Sequence, residues 1–145
     1  MKARMTPKEY LQRVAYAERE IRTIKARIAH YRDMMIGSSL NIENTPVSHS
    51  KGASRTETIA VGIIDALGAL NANLGAYETI VMDAEKLIEK IPQENYRRIL
   101  TYRYLCGMPF PKIGEELRYS DRNSIYRAHG YALSEFGKVM RENDG

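Results

Sequence analysis

From Tyr10 onward, apolar side chains return in steps of four and three: Tyr10, Val14, Ala17, Ile21, Ile24, Ile28, Tyr31 and Met35. This is the a/d seam of a coiled-coil-like helix. Thr6 opens it. Pro7 suits the first helical position, where a missing N–H costs nothing, and Glu9 completes a Thr-x-x-Glu capping box. Gly37 is the expected stop. The stretch "GSSLNIENTPVSHSKGAS" has turn formers, one proline and no period, which predicts a mobile loop over 38–54. A second long helix is predicted from about Thr56 to Ile91, with Ile59, Ile63, Ala66, Leu70, Asn73, Tyr77, Ile80, Ala84, Leu87 and Ile91 on the same four-three spacing. Beside that seam runs a second stripe, Ile64, Leu67, Leu74, Val81 and Ile88, which makes this apolar face too wide for one narrow partner. The first two helices therefore read as a long antiparallel hairpin over 1–91. The extra stripe must meet the C-terminal region or a second chain, and a homodimer built on it is the expectation; Asn73 in the seam either fixes register or oligomer state or is a polar residue tolerated near water.

Pro92 ends the second helix, and the pattern then changes. "QENYRRILTYRYLCG" reads as one short helix closed by Gly107. "FPKIGEEL" reads as a two-turn helix and "RYS" as a turn. Asp121 caps a last helix to about Met140, whose apolar positions are Ile125, Ala128, Ala132, Leu133, Phe136 and Met140. The expected fold is all-α: the coiled-coil-like hairpin, then a compact three-helix unit over 92–145.

A short helix, a tight turn and a longer helix make a helix-turn-helix. In that arrangement Ile113 and Leu117 pack on Ile125 and Ala128 and set the angle of the 121–140 helix, which enters a major groove. Its leading turns present Arg122, Asn123, Tyr126 and Arg127, types suited to base edges. Arg97, Arg98, Arg103, Lys112 and Arg118 are the candidate phosphate contacts. Charge fits a polyanion partner without demanding one. The net charge is +4, with nine Lys/Arg against four Asp/Glu in residues 1–37, four against seven in 38–91, and nine against seven in 92–145.

The stretch "YRRILTYRYLCGMPFPKIGEELRYSDRNSIYRAHGYAL" resembles region four of bacterial sigma factors, which binds promoter DNA. The shared positions are Leu100, Arg103, Tyr104, Gly107, Ile113, Leu117, Asp121, Ile125, Ala132 and Leu133. With a long N-terminal hairpin ahead of it, the whole chain resembles the small phage and prophage transcriptional regulators of Gram-positive bacteria, the ArpU/RinA-like group. The resemblance implies regulation of transcription on double-stranded DNA, with RNA polymerase as a possible partner. Three departures bear on the turn. Pro109 stands where a Ser or Thr cap is usual, Arg118 where glycine is usual, and Gly114 where alanine is usual.

Other classes have less behind them. His30, His49 and His129 are scattered, no His/Cys/carboxylate spacing suits zinc, and no GxxxxGK[ST] is present, so neither an enzyme nor a cofactor is expected. Cys106, beside Leu105, reads as a buried structural thiol, and one cysteine fits a reducing cytoplasm. No uninterrupted apolar run approaches 18 residues, so no membrane partner is expected. The alternative function is a phage DNA-packaging protein, similar to a small terminase subunit, or a coiled-coil scaffold.

Overall fold

A computed structural model describes residues 4–44 and 50–144, with side chains over 4–37 and 55–144. The described residues are all-helical and hold no strand. Five α-helices follow in order: α1 (Pro7–Asn44), α2 (Ser50–Glu89), α3 (Glu94–Leu100), α4 (Phe110–Glu116) and α5 (Arg122–Asp144). A π-helical segment, Thr101–Leu105, continues directly from α3.

The helix ends follow local chemistry. The Glu9 amide donates to Thr6 Oγ1 at 3.1 Å and the Thr6 amide donates to Glu9 Oε1 at 3.4 Å, closing the capping box before α1. Gly37 does not stop α1, which continues to Asn44, and α2 is already helical at Ser50. The expected loop over 38–54 is therefore too long. Its Ser and Asn residues cost a helix only tenths of a kcal/mol each, roughly, and none of 38–44 is a proline. Residues 45–49 lie outside the described ones. Gly107 takes φ +68° after the π-helical segment, and the Met108 amide donates to the Tyr102 carbonyl at 2.9 Å. Asp121 caps α5 as its position suggests, with Oδ1 accepting from the Asn123 amide at 2.8 Å and the Ser124 amide at 2.9 Å. Those bonds, the Ser124 amide foremost, hold its carboxyl below the usual carboxylate range. α5 runs one turn beyond Met140.

Packing divides the chain into two compact units, and the division does not fall at 91/92. One unit is Met1–Arg19 with Glu78–Gly145; the other is Glu20–Tyr77. In the first, Leu11 from the start of α1 and Leu87, Ile88 and Ile91 from the end of α2 share one core with Ile99, Leu100, Tyr104, Ile113, Ile125, Ala128, Ala132, Phe136 and Val139. Three short helices have too little surface to enclose Phe136, and the ends of α1 and α2 complete the wall. Tyr10 meets Phe136 with ring centroids 5.5 Å apart. Gly137 lets α5 approach the start of α1, since a Cβ there would lie 3.1 Å from Pro7 Cγ.

In the second unit Ile21, Ile24 and Ile28 of α1 and Ile63 of α2 are buried. The rest of α2 in this unit is unusually bare. By length and composition the stretch Arg55–Glu89 is long and apolar enough to cross a membrane, and only 6% of its most apolar 18-residue window is buried. The expectation from unbroken apolar runs overlooked this. Glycine, alanine and asparagine interrupt the runs, yet between Thr58 and Tyr77 the sole charged residue is Asp65.

The second stripe of α2 does not act as one surface. Val81 and Ile88 are 6% and 3% exposed and belong to this chain's own interior, Leu67 and Leu74 are half-buried, and Ile64 is 56% exposed. Cys106 is exposed rather than buried, because it caps the helical segment beside the turn at Gly107.

Candidate nucleic-acid interface

α4 and α5 meet through Ile113, Gly114 and Ile125. Ile113 and Ile125 are fully enclosed, and the Cβ an alanine would place at 114 would lie 3.6 Å from Ile125 Cβ. The turn between them is closed at the end of α4. The Tyr119 amide donates to the Gly114 carbonyl at 2.8 Å and the Arg118 amide to the Glu115 carbonyl at 3.2 Å, the Schellman pattern. That pattern puts one residue in the left-handed region, and here it is Arg118, at φ +60°. A β-carbon there costs about 1 kcal/mol relative to glycine. At the other end of α4 Pro109 offers no side-chain cap, but its carbonyl accepts from the Lys112 and Ile113 amides at 3.0 and 3.1 Å.

α5 turns Ile125, Ala128 and Ala132 inward, and Arg122, Asn123, Tyr126 and Arg127 stand exposed on its first two turns. Tyr126 is 46% exposed, yet one side of its ring rests on Phe110, centroids 5.0 Å apart. Arg127 makes only a long bond, 3.4 Å, to Ser124 Oγ. The four candidate base-reading residues thus share one outward face at the capped end of a helix.

The five candidate phosphate contacts do not share one fate. Arg97 Nη1 donates to the Ile91 carbonyl at 2.6 Å and the Pro92 carbonyl at 3.0 Å, so its charge closes the C-terminal end of α2. Arg98 pairs with Glu94 at 2.8 Å along the same helix. Arg103 lies over Phe110, its guanidinium carbon 4.2 Å from the ring centroid, with one long bond, 3.4 Å, from Nη1 to the Met108 carbonyl. Lys112 and Arg118 are exposed and form no ion pair among the described residues.

Sequence reasoning missed the group behind this face. The Cys106 amide donates to the Thr101 carbonyl at 3.0 Å, five residues back, and this π turn inserts one extra residue before the helix ends. Tyr104 is thereby buried, and its hydroxyl lies 2.8 Å from His129 Nε2. His129 packs edge-on to Phe110, centroids 4.7 Å apart. Burial, and then the charges of Arg103 and Lys8, lower the His129 pKa from 6.5 to about 4, so the ring is neutral at pH 7. Burial likewise raises the Tyr104 pKa and keeps its hydroxyl protonated. As a polar ring on a helix with an exposed basic face, His129 reads from sequence as a surface or groove-edge residue. Its one signal was position: four residues after Ile125, it continues the inward face.

No family model, curated protein or solved structure matches the chain.

Proposed function

We propose that this chain is a sequence-specific DNA-binding regulator of transcription, acting in the cytoplasm on phage or prophage genes, with α4 and α5 as its helix-turn-helix. The observation that carries the reading is the outward face of α5. Arg122, Asn123, Tyr126 and Arg127 are exposed over its first two turns, and α4 fixes the helix from behind through Ile113 and Ile125. Arg and Asn there offer bidentate donors for guanine and adenine edges, and the capped N-terminus of α5 favours phosphate. Lys112, Arg118 and Arg103 supply the backbone contacts, while Arg97 and Arg98 are engaged within the fold. RNA polymerase is a further partner that the sigma-like pattern implies.

In the same reading α1 and α2 form the antiparallel hairpin, and α2 joins two copies of the chain. The support is the contrast between their outer faces. α1 exposes Lys25, Arg27, Arg32 and Asp33 in the second unit, whereas α2 exposes Val61, Ile64, Gly68, Ala72 and Ala76. A bare face of this kind on a protein in water marks a surface that is covered. The packaging or scaffold alternative draws on the same face, and stoichiometry separates the two: a dimer fits the regulator, a ring of about eight or more the packaging protein.

Selection of bound fragments from genomic DNA, followed by salt titration of binding, tests the proposal. Arg127→Ala should weaken binding to the selected site by about 1–3 kcal/mol and affect scrambled DNA much less. A folded Arg127→Ala variant that binds its site as well as the wild type would remove this face from the reading.

A further inference from the structure

Among the basic residues around α5, one is built into position. The Arg103 guanidinium lies over the Phe110 ring, its carbon 4.2 Å from the centroid. Phe110 is braced on its other contacts by Tyr126 at 5.0 Å and His129 at 4.7 Å, and His129 is tied to Tyr104 at 2.8 Å. The π turn that holds Arg103 and Tyr104 caps the segment through the Cys106 amide on the Thr101 carbonyl, just before Gly107 turns the chain away. A guanidinium carries five N–H donors, and within the chain this one makes a single long bond. No buried side-chain nitrogen or oxygen lacks a partner among the described residues. The remaining donors of Arg103 therefore reach solvent, beside the aromatic ring that also supports Tyr126.

We propose that Arg103 is the preorganised phosphate ligand of this interface, and that Phe110 is its positioning residue, joining the phosphate grip of Arg103 to the reading face at Tyr126. The inference rests on the DNA-binding reading. Stacking fixes the plane of the guanidinium before the ligand arrives, so less side-chain freedom is lost on binding, and the fork presents two N–H groups to two phosphate oxygens. A lysine keeps the charge and loses both the plane and the fork. An arginine present only to pack against Phe110 would affect stability and leave the phosphate count alone.

The test uses the full chain and the selected duplex, with binding followed by fluorescence anisotropy across a salt series and folding followed by circular dichroism. Arg103→Lys should lower affinity by about tenfold. Arg103→Ala should also flatten the salt dependence by about one counterion. Phe110→Leu should lower affinity about as much as Arg103→Lys, the double variant should be no worse than either, and Phe110→Tyr, which keeps the ring, should restore binding. Phe110→Tyr and Arg103→Lys remain informative if Phe110→Leu does not fold. Wild-type affinity and salt slope in Arg103→Lys and Arg103→Ala would overturn the assignment of Arg103 while leaving DNA binding in place. Fully additive losses in the double variant would overturn the role of Phe110. A wild-type chain with no salt-dependent duplex binding would overturn the DNA-binding reading itself, and this inference with it.

Discussion

Lowering the pH should destabilise the fold through His129 in particular. In the folded chain its imidazole is neutral, with a pKa of about 4 against an ordinary 6.5. Its Nε2 lies 2.8 Å from the Tyr104 hydroxyl, and the two share a hydrogen bond. The unfolded chain takes up a proton below pH 6.5, where the folded chain does not. The stabilisation is therefore complete above about pH 6.5 and is lost progressively as pH falls towards 4, below which this group adds no further slope. A gap of about 2.5 pKa units at 1.36 kcal/mol each sets an upper bound of roughly 3 kcal/mol. The half-buried position of the ring places the expected value nearer 2. Carboxylates protonate over the same range, so the wild-type curve alone cannot isolate the histidine. The measurement is urea unfolding followed by circular dichroism at pH 7, 6, 5 and 4, for the wild type and for His129→Phe. The variant keeps a ring against Phe110 but cannot titrate, and it leaves the Tyr104 hydroxyl without its hydrogen-bond partner. It should be less stable than the wild type at pH 7 and should lose less between pH 6.5 and 4. Parallel curves for the two proteins would refute the reasoning.

Three further outcomes follow from the packing. Gly114→Ala should raise stability by about 0.5–1 kcal/mol in thermal unfolding, because its Cβ meets Ile125 at an ordinary 3.6 Å; Gly137→Ala, 3.1 Å from Pro7, should lower it by about 1 kcal/mol or more. Arg118→Gly should gain roughly 1 kcal/mol of stability by relieving φ +60°, yet weaken DNA binding; a variant that gains both would show that the side chain has no external contact. Ile64→Glu should dissociate the proposed dimer in light scattering with helix content kept, whereas Ile88→Glu, on the other half of the same stripe, should unfold the chain.

Short-range chemistry was the most readable part of this chain. Thr6 with Glu9, Asp121 with the amides two and three residues on, Gly107, and the left-handed Arg118 all follow from rules that act within a turn of helix. The inward positions of α5 also follow, because one face of it meets a single core. What failed depended on partners distant in sequence. Leu11 lies off the four-three seam, yet it is fully buried, because the first turns of α1 share a core with Phe136 and Ile91. Val81 and Ile88 lie on a stripe that in sequence suits the C-terminal region or a second chain equally, and nothing local tells that both are covered within this chain, Ile88 by the core of the C-terminal helices. The π turn leaves no mark in composition, and the places of Arg103 and Tyr104, the residues that meet Phe110 and His129, depend on it. The chemistry of the candidate interface was legible as residue types on one helix, but the division of labour among the arginines was not. Arg97 and Arg98 look alike in sequence to Arg103, and only the carbonyls of Ile91 and Pro92, the carboxylate of Glu94 and the ring of Phe110 tell them apart.

The core that Leu11 shares with Phe136 sets an order of events during synthesis. Leu11, in the first turns of α1, is made more than a hundred residues before Phe136 of α5, with which it shares the core, and that side of it stays uncovered meanwhile. Closing so long a loop costs little more than closing a moderate one, since the entropy grows only with the logarithm of length. The delay is the larger burden: an apolar helix face waits for more than a hundred residues of translation, and chains are most exposed to aggregation while such faces are open. A chain cut at Ile91 would keep α1 and α2 with half their core missing, and the 92–145 fragment would lack the wall that Leu11, Leu87 and Ile91 provide. The 92–145 stretch therefore draws its core from both α1 and the end of α2 and is not a module that folds when its own residues are complete.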